Sequence, residues 1–86
     1  MSYRTILSPE AKKNLRRIRD RRLHDRLIAA IADLATDPRP PGCLKLVGEV
    51  NQWRVRVGDW RVVYVIEDGR LVVLVVRVSP RGEAYG

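Results

Sequence analysis

A proline-rich segment divides the sequence into two parts with different hydrophobic periodicity. Residues 37–42 read DPRPPG, and a helix cannot continue through this run of prolines. Before the segment, apolar residues recur at the spacing of amphipathic helices; from Leu44 onward they alternate with polar residues, as in strands. Helices that precede an antiparallel sheet are typical of an α+β fold, which is therefore the predicted class.

The N-terminal part predicts one short strand and two helices. The strand is YRTIL, after which Ser8 can cap a helix that has Pro9 at its first position. The second helix is predicted to end near Asp37, and no Gly or Pro marks the break between the two helices around residues 20–22. Its apolar positions are Leu23, Leu27, Ile28, Ile31, Leu34 and Ala35.

The C-terminal part predicts an antiparallel meander. CLKLVG is a short extended piece, and the strands QWRVRV, WRVVYVIE and RLVVLVVRV follow it. Two-residue turns at Gly58-Asp59 and Asp68-Gly69 would join these three strands. The predicted order is β-α-α-β-β-β in a single domain spanning residues 1–86, with both helices packed on one face of the sheet.

The first turn predicts which side chains share a face. With Gly58-Asp59 as the loop, Arg54, Arg56 and Arg61 lie on one face, and Trp53 and Trp60 lie on the other with the core. Arg56 then falls opposite Arg61, and a like-charge pair across two strands is destabilising by itself. The arrangement is explained either by a solvated strand face or by a surface that binds an anion.

The second turn extends the same register to the last strand. It predicts Glu67 opposite Arg70, and it places Arg77 on the Trp60 face in a structural role. It also predicts an apolar area on the arginine face, which a helical layer on the other side cannot cover and which suggests a protein partner. The residues of this area are Val72, Leu74 and Val76.

The charge balance favours a polyanionic partner. The chain of 86 residues has 17 basic and 10 acidic side chains, a formal net charge of +7, and the excess is spread along its length. Such a field attracts nucleic acid or an acidic protein. The single cysteine, Cys43, excludes an internal disulfide and a zinc site of paired cysteines, and His24 is the only histidine. No signal peptide or membrane span is evident, so a cytoplasmic location is expected.

The segment RVRVGDWRVVYVIEDGRLVVLVVRVSPRGEAY resembles the C-terminal half of the RelE-like branch of the RelE/ParE toxin superfamily. YRTILSPEAKKNLRRI is similar to the opening strand and first helix of the same toxins. The resemblance implies a microbial-ribonuclease-like fold and the toxin role in a type II toxin–antitoxin pair. It further implies ribosome-dependent, metal-independent and cofactor-free cleavage of A-site mRNA by 2′-hydroxyl attack, which inhibits translation.

The resemblance also implies roles for particular residues. Arg61, Arg81 and Tyr85 match the catalytic positions, and Arg54 and Arg56 match the positions that bind the RNA backbone. The implied partners are the ribosome and a cognate antitoxin with an acidic binding segment, in a hetero-oligomeric complex.

Departures from the family pattern keep other functions open. The best-described member has lysines at the positions of Arg54 and Arg56, and many relatives have histidine where Pro80 stands here. Because arginine stays protonated, both departures weaken acid–base chemistry and leave charge stabilisation intact. The alternatives are a ParE-like DNA gyrase inhibitor, a nucleic-acid-binding module without activity and a catalytically degenerate toxin homologue.

Overall fold

The structure, a computed structural model, describes residues 2–48 and 51–80. Within these ranges the strands form one five-stranded sheet in the order β1-β5-β4-β3-β2. The β1–β5 pair is parallel and the other neighbours are antiparallel. The elements are β1 (Arg4–Leu7), α1 (Pro9–Arg16), α2 (Arg21–Asp33), β2 (Leu44–Lys45), β3 (Gln52–Val57), β4 (Trp60–Glu67) and β5 (Val72–Pro80). The predicted α+β class is confirmed, and the parallel pair and the short β2 add to the predicted meander.

Side chains at the N-termini of both helices set where each helix begins. The Ser8 hydroxyl accepts a hydrogen bond from the Ala11 amide at 3.0 Å, which confirms the predicted cap before Pro9. The sequence did not settle where the two helices separate; in the structure α1 ends at Arg16 and α2 begins at Arg21. Asp20 caps α2, because its side chain accepts hydrogen bonds from the backbone amides of Arg22 and Leu23. In the described ranges no helix has the length and apolar character needed to cross a membrane.

The core lies between the two helices and one face of the sheet. Ala11 and Leu15 of α1 and Leu27 and Ile31 of α2 pack against side chains of β3, β4 and β5. The predicted core face is confirmed, because all of its members belong to this cluster or pack against it. These members are Trp53, Val55, Val57, Trp60, Val62, Tyr64 and Ile66.

Helix α1 also covers part of the free edge of β5. Strand β1 pairs only with residues 72–75, so the end of β5 has no strand neighbour on that side among the described residues. Two side chains supply the missing hydrogen bonds: the Ser8 hydroxyl donates to the Val76 carbonyl at 2.7 Å, and Asn14 Oδ1 accepts from the Val78 amide at 3.0 Å. The helix therefore caps an edge that would otherwise expose backbone groups.

The two strand connections differ from each other. Gly58 has φ +61° and Val57 pairs with Trp60, as expected for a two-residue turn with Gly at its first central position. The second turn prediction is wrong. Asp68–Arg70 forms a short 3₁₀ helix, and Leu71 follows in the left-handed region with φ +53°. Glu67 consequently lies opposite Val72 on the neighbouring strand, although its carboxylate still forms an ion pair with Arg70 at 3.3 Å.

Candidate functional site

The sheet face turned away from the helices, called the arginine face below, carries the predicted arginines. The pairing of β3, β4 and β5 arranges its side chains in rows that run across the strands. Arg54, Arg56 and Arg61 share this face, as predicted. The first row is Arg56, Arg61 and Ser79; the second is Leu44, Arg54, Val63 and Arg77; the third is Gln52, Val65, Leu74 and Ile6.

Arg77 belongs to this face, so its predicted position on the Trp60 face is wrong. Compared with the predicted register, the longer β4–β5 connection moves the partners on β5 by two residues, from Arg70 to Val72 opposite Glu67. A shift of two residues leaves each side chain on its predicted face. A β-bulge between Val63 and Tyr64 adds one residue on β5, and this odd shift reverses the faces beyond it. Arg77 therefore pairs with Val63 and Ser79 with Arg61.

The four guanidinium groups differ in exposure. Arg56 is exposed and Arg54 and Arg77 are half-buried, whereas Arg61 is only 7% exposed. The described residues provide no ion pair for Arg54, Arg56 or Arg77, and the first two rows contain no carboxylate. Since guanidinium groups remain protonated at all relevant pH values, this part of the face has a concentrated positive charge.

This geometry suits the binding of an anion better than the transfer of a proton. Fixed guanidinium donors can form bidentate, charge-assisted hydrogen bonds to phosphate oxygens. The described part of the face has neither lysine nor histidine beside the arginines, because Lys45 pairs with Trp53 on the opposite face. Arg81 and Tyr85 lie outside the described residues. Among those described, no three His, Cys, Asp or Glu residues cluster closely enough to hold a metal ion.

A polar cluster that the sequence did not predict joins three distant segments. Asp68 accepts a hydrogen bond from the Tyr3 hydroxyl at 2.6 Å and hydrogen bonds from both terminal nitrogens of Arg39, at 3.3 and 2.9 Å. The Arg39 guanidinium also lies over the Trp53 ring, 5.2 Å from its centroid. The hydrogen bonds from Arg39 and Tyr3 stabilise the charged carboxylate and so lower the pKa of Asp68. The same hydrogen bond to Asp68 stabilises the neutral phenol and raises the pKa of Tyr3.

Tyr64 anchors the proline-rich segment to the sheet. Its side chain is fully buried on the helix-covered face, and its hydroxyl donates to the Pro38 carbonyl at 2.8 Å. Burial raises the pKa of this phenol strongly, since the charged form would lose its hydration. The segment that ends the helical part of the chain is thus fixed from both sides, at Pro38 by Tyr64 and at Arg39 by Asp68.

The sequence and fold are similar to those of known toxins. Residues 5–85 match the model of the family described as ParE toxin of type II toxin-antitoxin system, parDE. No curated protein sequence matches the chain significantly.

Solved RelE structures are similar over nearly their whole length. RelE in the archaeal RelE–RelB complex from Pyrococcus horikoshii OT3 is 26% identical, with a TM-score of 0.80 over 98% of this chain and 100% of that one. The RelBE2 toxin–antitoxin complex from Mycobacterium tuberculosis gives 26% identity and a TM-score of 0.78 over 94% and 100%. The isolated E. coli RelE toxin gives 24% identity and a TM-score of 0.79 over 98% and 92%.

The family match covers all the described strands and helices apart from the first residue of β1. The order of strands and helices agrees with the RelE structures, in which the same fold occurs. The chain therefore belongs to the ParE toxin family and is a toxin of a type II toxin–antitoxin system in the RelE/ParE superfamily.

Proposed function

We propose that this toxin is a ribosome-dependent endoribonuclease that cleaves mRNA in the ribosomal A site and so inhibits translation in the cytoplasm. The observation that carries the proposal is the convergence of four arginines on the helix-free face of the sheet, without a carboxylate in their two rows. Phosphodiester cleavage develops negative charge on phosphate oxygens, and preorganised cations are the groups that stabilise it.

The proposed reaction is an internal transfer. The ribose 2′-oxygen attacks the adjacent phosphorus, the bond from phosphorus to the 5′-oxygen breaks, and the products are a 2′,3′-cyclic phosphate and a 5′-hydroxyl. Arg61 and Arg81 stabilise the charged phosphate in the transition state, while Arg54 and Arg56 hold the RNA backbone. Tyr85 stacks on a base or assists proton transfer. No metal or other cofactor enters these steps.

The chemistry of the arginine face makes positioning the main contribution of the protein. Arginine is a poor proton acceptor, so Arg54 and Arg56 cannot take the 2′-hydroxyl proton as a lysine could. Holding the 2′-oxygen in line with the scissile bond lowers the barrier without an efficient base. A requirement for the ribosome follows naturally, because mRNA in the A site is already held in a fixed conformation.

A cognate antitoxin is the second partner that we propose. The Pyrococcus and Mycobacterium relatives were solved as toxin–antitoxin complexes. On this chain the third row of the arginine face is mainly apolar, with Val65, Leu74 and an Ile6 side chain that is 40% exposed. A partner segment with acidic and apolar side chains would neutralise the arginines and cover this row at once. The resulting complex is a hetero-oligomer.

The test is to express the toxin without its antitoxin and to map the 5′ ends of cellular messages. The proposal expects cuts phased to codons in translated regions, and their loss in Arg56→Gln. The matched control, Arg19→Gln, removes the same charge from an exposed residue between α1 and α2 and should leave the cuts in place. Growth arrest with intact messages would overturn the proposal.

Inhibition of DNA gyrase is the second candidate function. It is favoured by the ParE description of the matching family and by the lack of lysine and histidine beside the arginines in the described rows. The same expression experiment separates the two functions. Gyrase-linked DNA breaks with intact messages would support inhibition of gyrase, whereas phased cuts without such breaks would support RNA cleavage.

A further inference from the structure

We infer that the groove between α1 and the end of β5 binds a phosphate of a single-stranded nucleic acid, with Arg77, Ser79 and Arg17 as its ligands. The inference deepens the proposed function, on which it rests for the choice of RNA: the groove would hold a nucleotide next to the one at Arg61. It assigns a binding role to Arg77, which the sequence alone had placed among structural residues.

Two residues that line the groove each have a buried polar atom without a hydrogen-bond partner in the described chain. The Nε atom of Arg77 and the Oγ atom of Ser79 are both buried, and neither finds a partner among the described residues. Burying a cationic donor or a hydroxyl without a partner is costly, and a bound ion is one explanation for such a group in a folded protein. A bound phosphate oxygen would accept from both.

The bulge in β5 places both residues at this position. Without it, Arg77 would face the helices and Ser79 would not lie opposite Arg61. Bulges commonly redirect side chains beside functional sites. Here the bulge joins Arg77 and Ser79 to the two rows that hold Arg54, Arg56 and Arg61, so the positive surface continues to the edge of β5.

The groove at this edge has the size and lining for a nucleotide phosphate. Its volume is about 380 Å³, and Arg77 and Ser79 line it together with Arg17 of the turn after α1 and with Trp60. Among the described residues that line it, Glu10 is the only acidic one, and these residues give the groove a net positive charge through Arg17 and Arg77. Arg17 is exposed and has no ion pair with a described residue. Asn14, which also lines the groove, uses its Oδ1 atom to accept from the Val78 amide.

Trp60 makes a nucleic acid a better candidate than an acidic peptide. Trp60 is half-buried and lines the groove together with Arg17 and Arg77. A stacking surface next to phosphate-binding arginines is the combination with which proteins bind single strands. An acidic peptide would form ion pairs with the arginines, but it has no bases to stack on the Trp60 ring.

The experiment measures binding separately from cleavage. A fluorescein-labelled oligouridylate with 2′-O-methyl groups cannot undergo 2′-hydroxyl attack, so its anisotropy with the purified toxin reports affinity alone. Arg77→Gln should weaken binding about tenfold, because it removes a charge-assisted contact. The slope of log affinity against log salt should also fall by about 0.7, as expected for one lost phosphate contact on a single strand.

Matched variants distinguish binding in the groove from a general effect of the protein's positive charge on affinity. Arg21→Gln removes the same charge from an exposed position on α2 that does not line the groove, and its affinity should stay within about twofold of wild type. Arg17→Gln should weaken binding as Arg77→Gln does, and it provides the test if Arg77→Gln does not fold. Equal effects of Arg17→Gln and Arg21→Gln, or no binding by the wild-type toxin, would overturn the inference.

These experiments distinguish a failure of the phosphate-binding groove from a failure of the proposed ribonuclease activity. If the oligonucleotide binds through Arg77 and no phased cuts appear in cells, the groove is supported and the ribonuclease is not. Phased cuts that persist in Arg77→Gln, together with unchanged oligonucleotide affinity, would support the ribonuclease and reject the groove.

Discussion

Arg56 lies directly opposite Arg61 on the neighbouring strands β3 and β4, so two positive side chains share one cross-strand position. Side chains at such positions have Cβ atoms about 5 Å apart, and like charges there are unfavourable. The described fold provides no carboxylate in their row to offset the repulsion. Stability and the proposed binding of an anion are therefore opposed at this pair.

Replacing Arg56 should separate these two properties. Arg56→Gln removes the repulsion and should raise the free energy of unfolding by about 0.2–1 kcal/mol, as measured by urea denaturation. The same variant should lose toxicity in cells, because the proposed function assigns Arg56 to holding the RNA backbone. Arg19→Gln is the matched control and should change neither property. A variant that is less stable than wild type would show that the pair does not repel in the folded protein.

The two glycines of the strand connections should respond differently to alanine. Gly58 has φ +61°, and a Cβ atom there would lie 3.5 Å from the Arg26 guanidinium, so Gly58→Ala should cost about 1–2 kcal/mol, mainly from backbone strain. Gly69 lies in the 3₁₀ helix, and a Cβ atom would have open space around it. Gly69→Ala should leave stability unchanged or raise it by about 0.4–1 kcal/mol. Thermal denaturation of both variants checks the contrast.

The Asp68 cluster should make stability depend on pH in the acid range. The Asp68 pKa is lowered in the folded state, so its contribution is complete above the usual carboxyl value of 3.8 and is lost as the pH falls through the folded value. Asp68→Asn should lower stability at pH 7 and should flatten the decline below about pH 4.

Urea denaturation between pH 7 and pH 2.5 provides this measurement. Asp33→Asn serves as the control, because Asp33 is exposed and has no ion pair with the described residues. If the two variants gave parallel curves across the acid range, the Asp68 contacts would have no energetic importance.

The Tyr64 hydroxyl should contribute to stability through a buried hydrogen bond. Tyr64→Phe leaves the Pro38 carbonyl without this donor and should cost about 1–3 kcal/mol. Since the phenol pKa is raised by burial, wild-type stability should also fall at alkaline pH, above the ordinary tyrosine value of about 10. That alkaline decline should be smaller in Tyr64→Phe. Unfolding curves at pH 8 and at about pH 10.5 test both expectations, and an unchanged Tyr64→Phe would contradict them.

Local signals in the sequence were sufficient for most of the fold. Ser8 before Pro9 marked the start of α1, and Gly58 fixed the first hairpin. The proline-rich segment set a limit to the second helix near Asp37, and α2 ends slightly earlier, at Asp33. Each of these residues acts on backbone within a few positions of itself, so its effect can be read without the rest of the molecule. The face shared by Arg54, Arg56 and Arg61 followed from the same hairpin.

The errors have tertiary causes. Asp68 is held by Tyr3 and Arg39, from segments far away in sequence, and the connection it begins is a 3₁₀ turn closed by Leu71 rather than a two-residue turn. No glycine or proline marks the bulge opposite Val63 and Tyr64. The bulge lies where β5 stops pairing with β1 and where the edge of β5 begins to contact α1. Arg77 could therefore not be assigned to the arginine face from alternation alone.

The parallel pairing of β1 with β5 has a consequence for synthesis. Residues 4–7 find their strand partner only after residues 72–75 have been translated and have left the exit tunnel. Because β5 lies between β1 and β4, the sheet lacks an interior strand until then. A nascent chain therefore cannot complete the arginine face before β5 has left the exit tunnel. If the toxin acts on ribosomes as proposed, that activity can begin only after β5 has emerged.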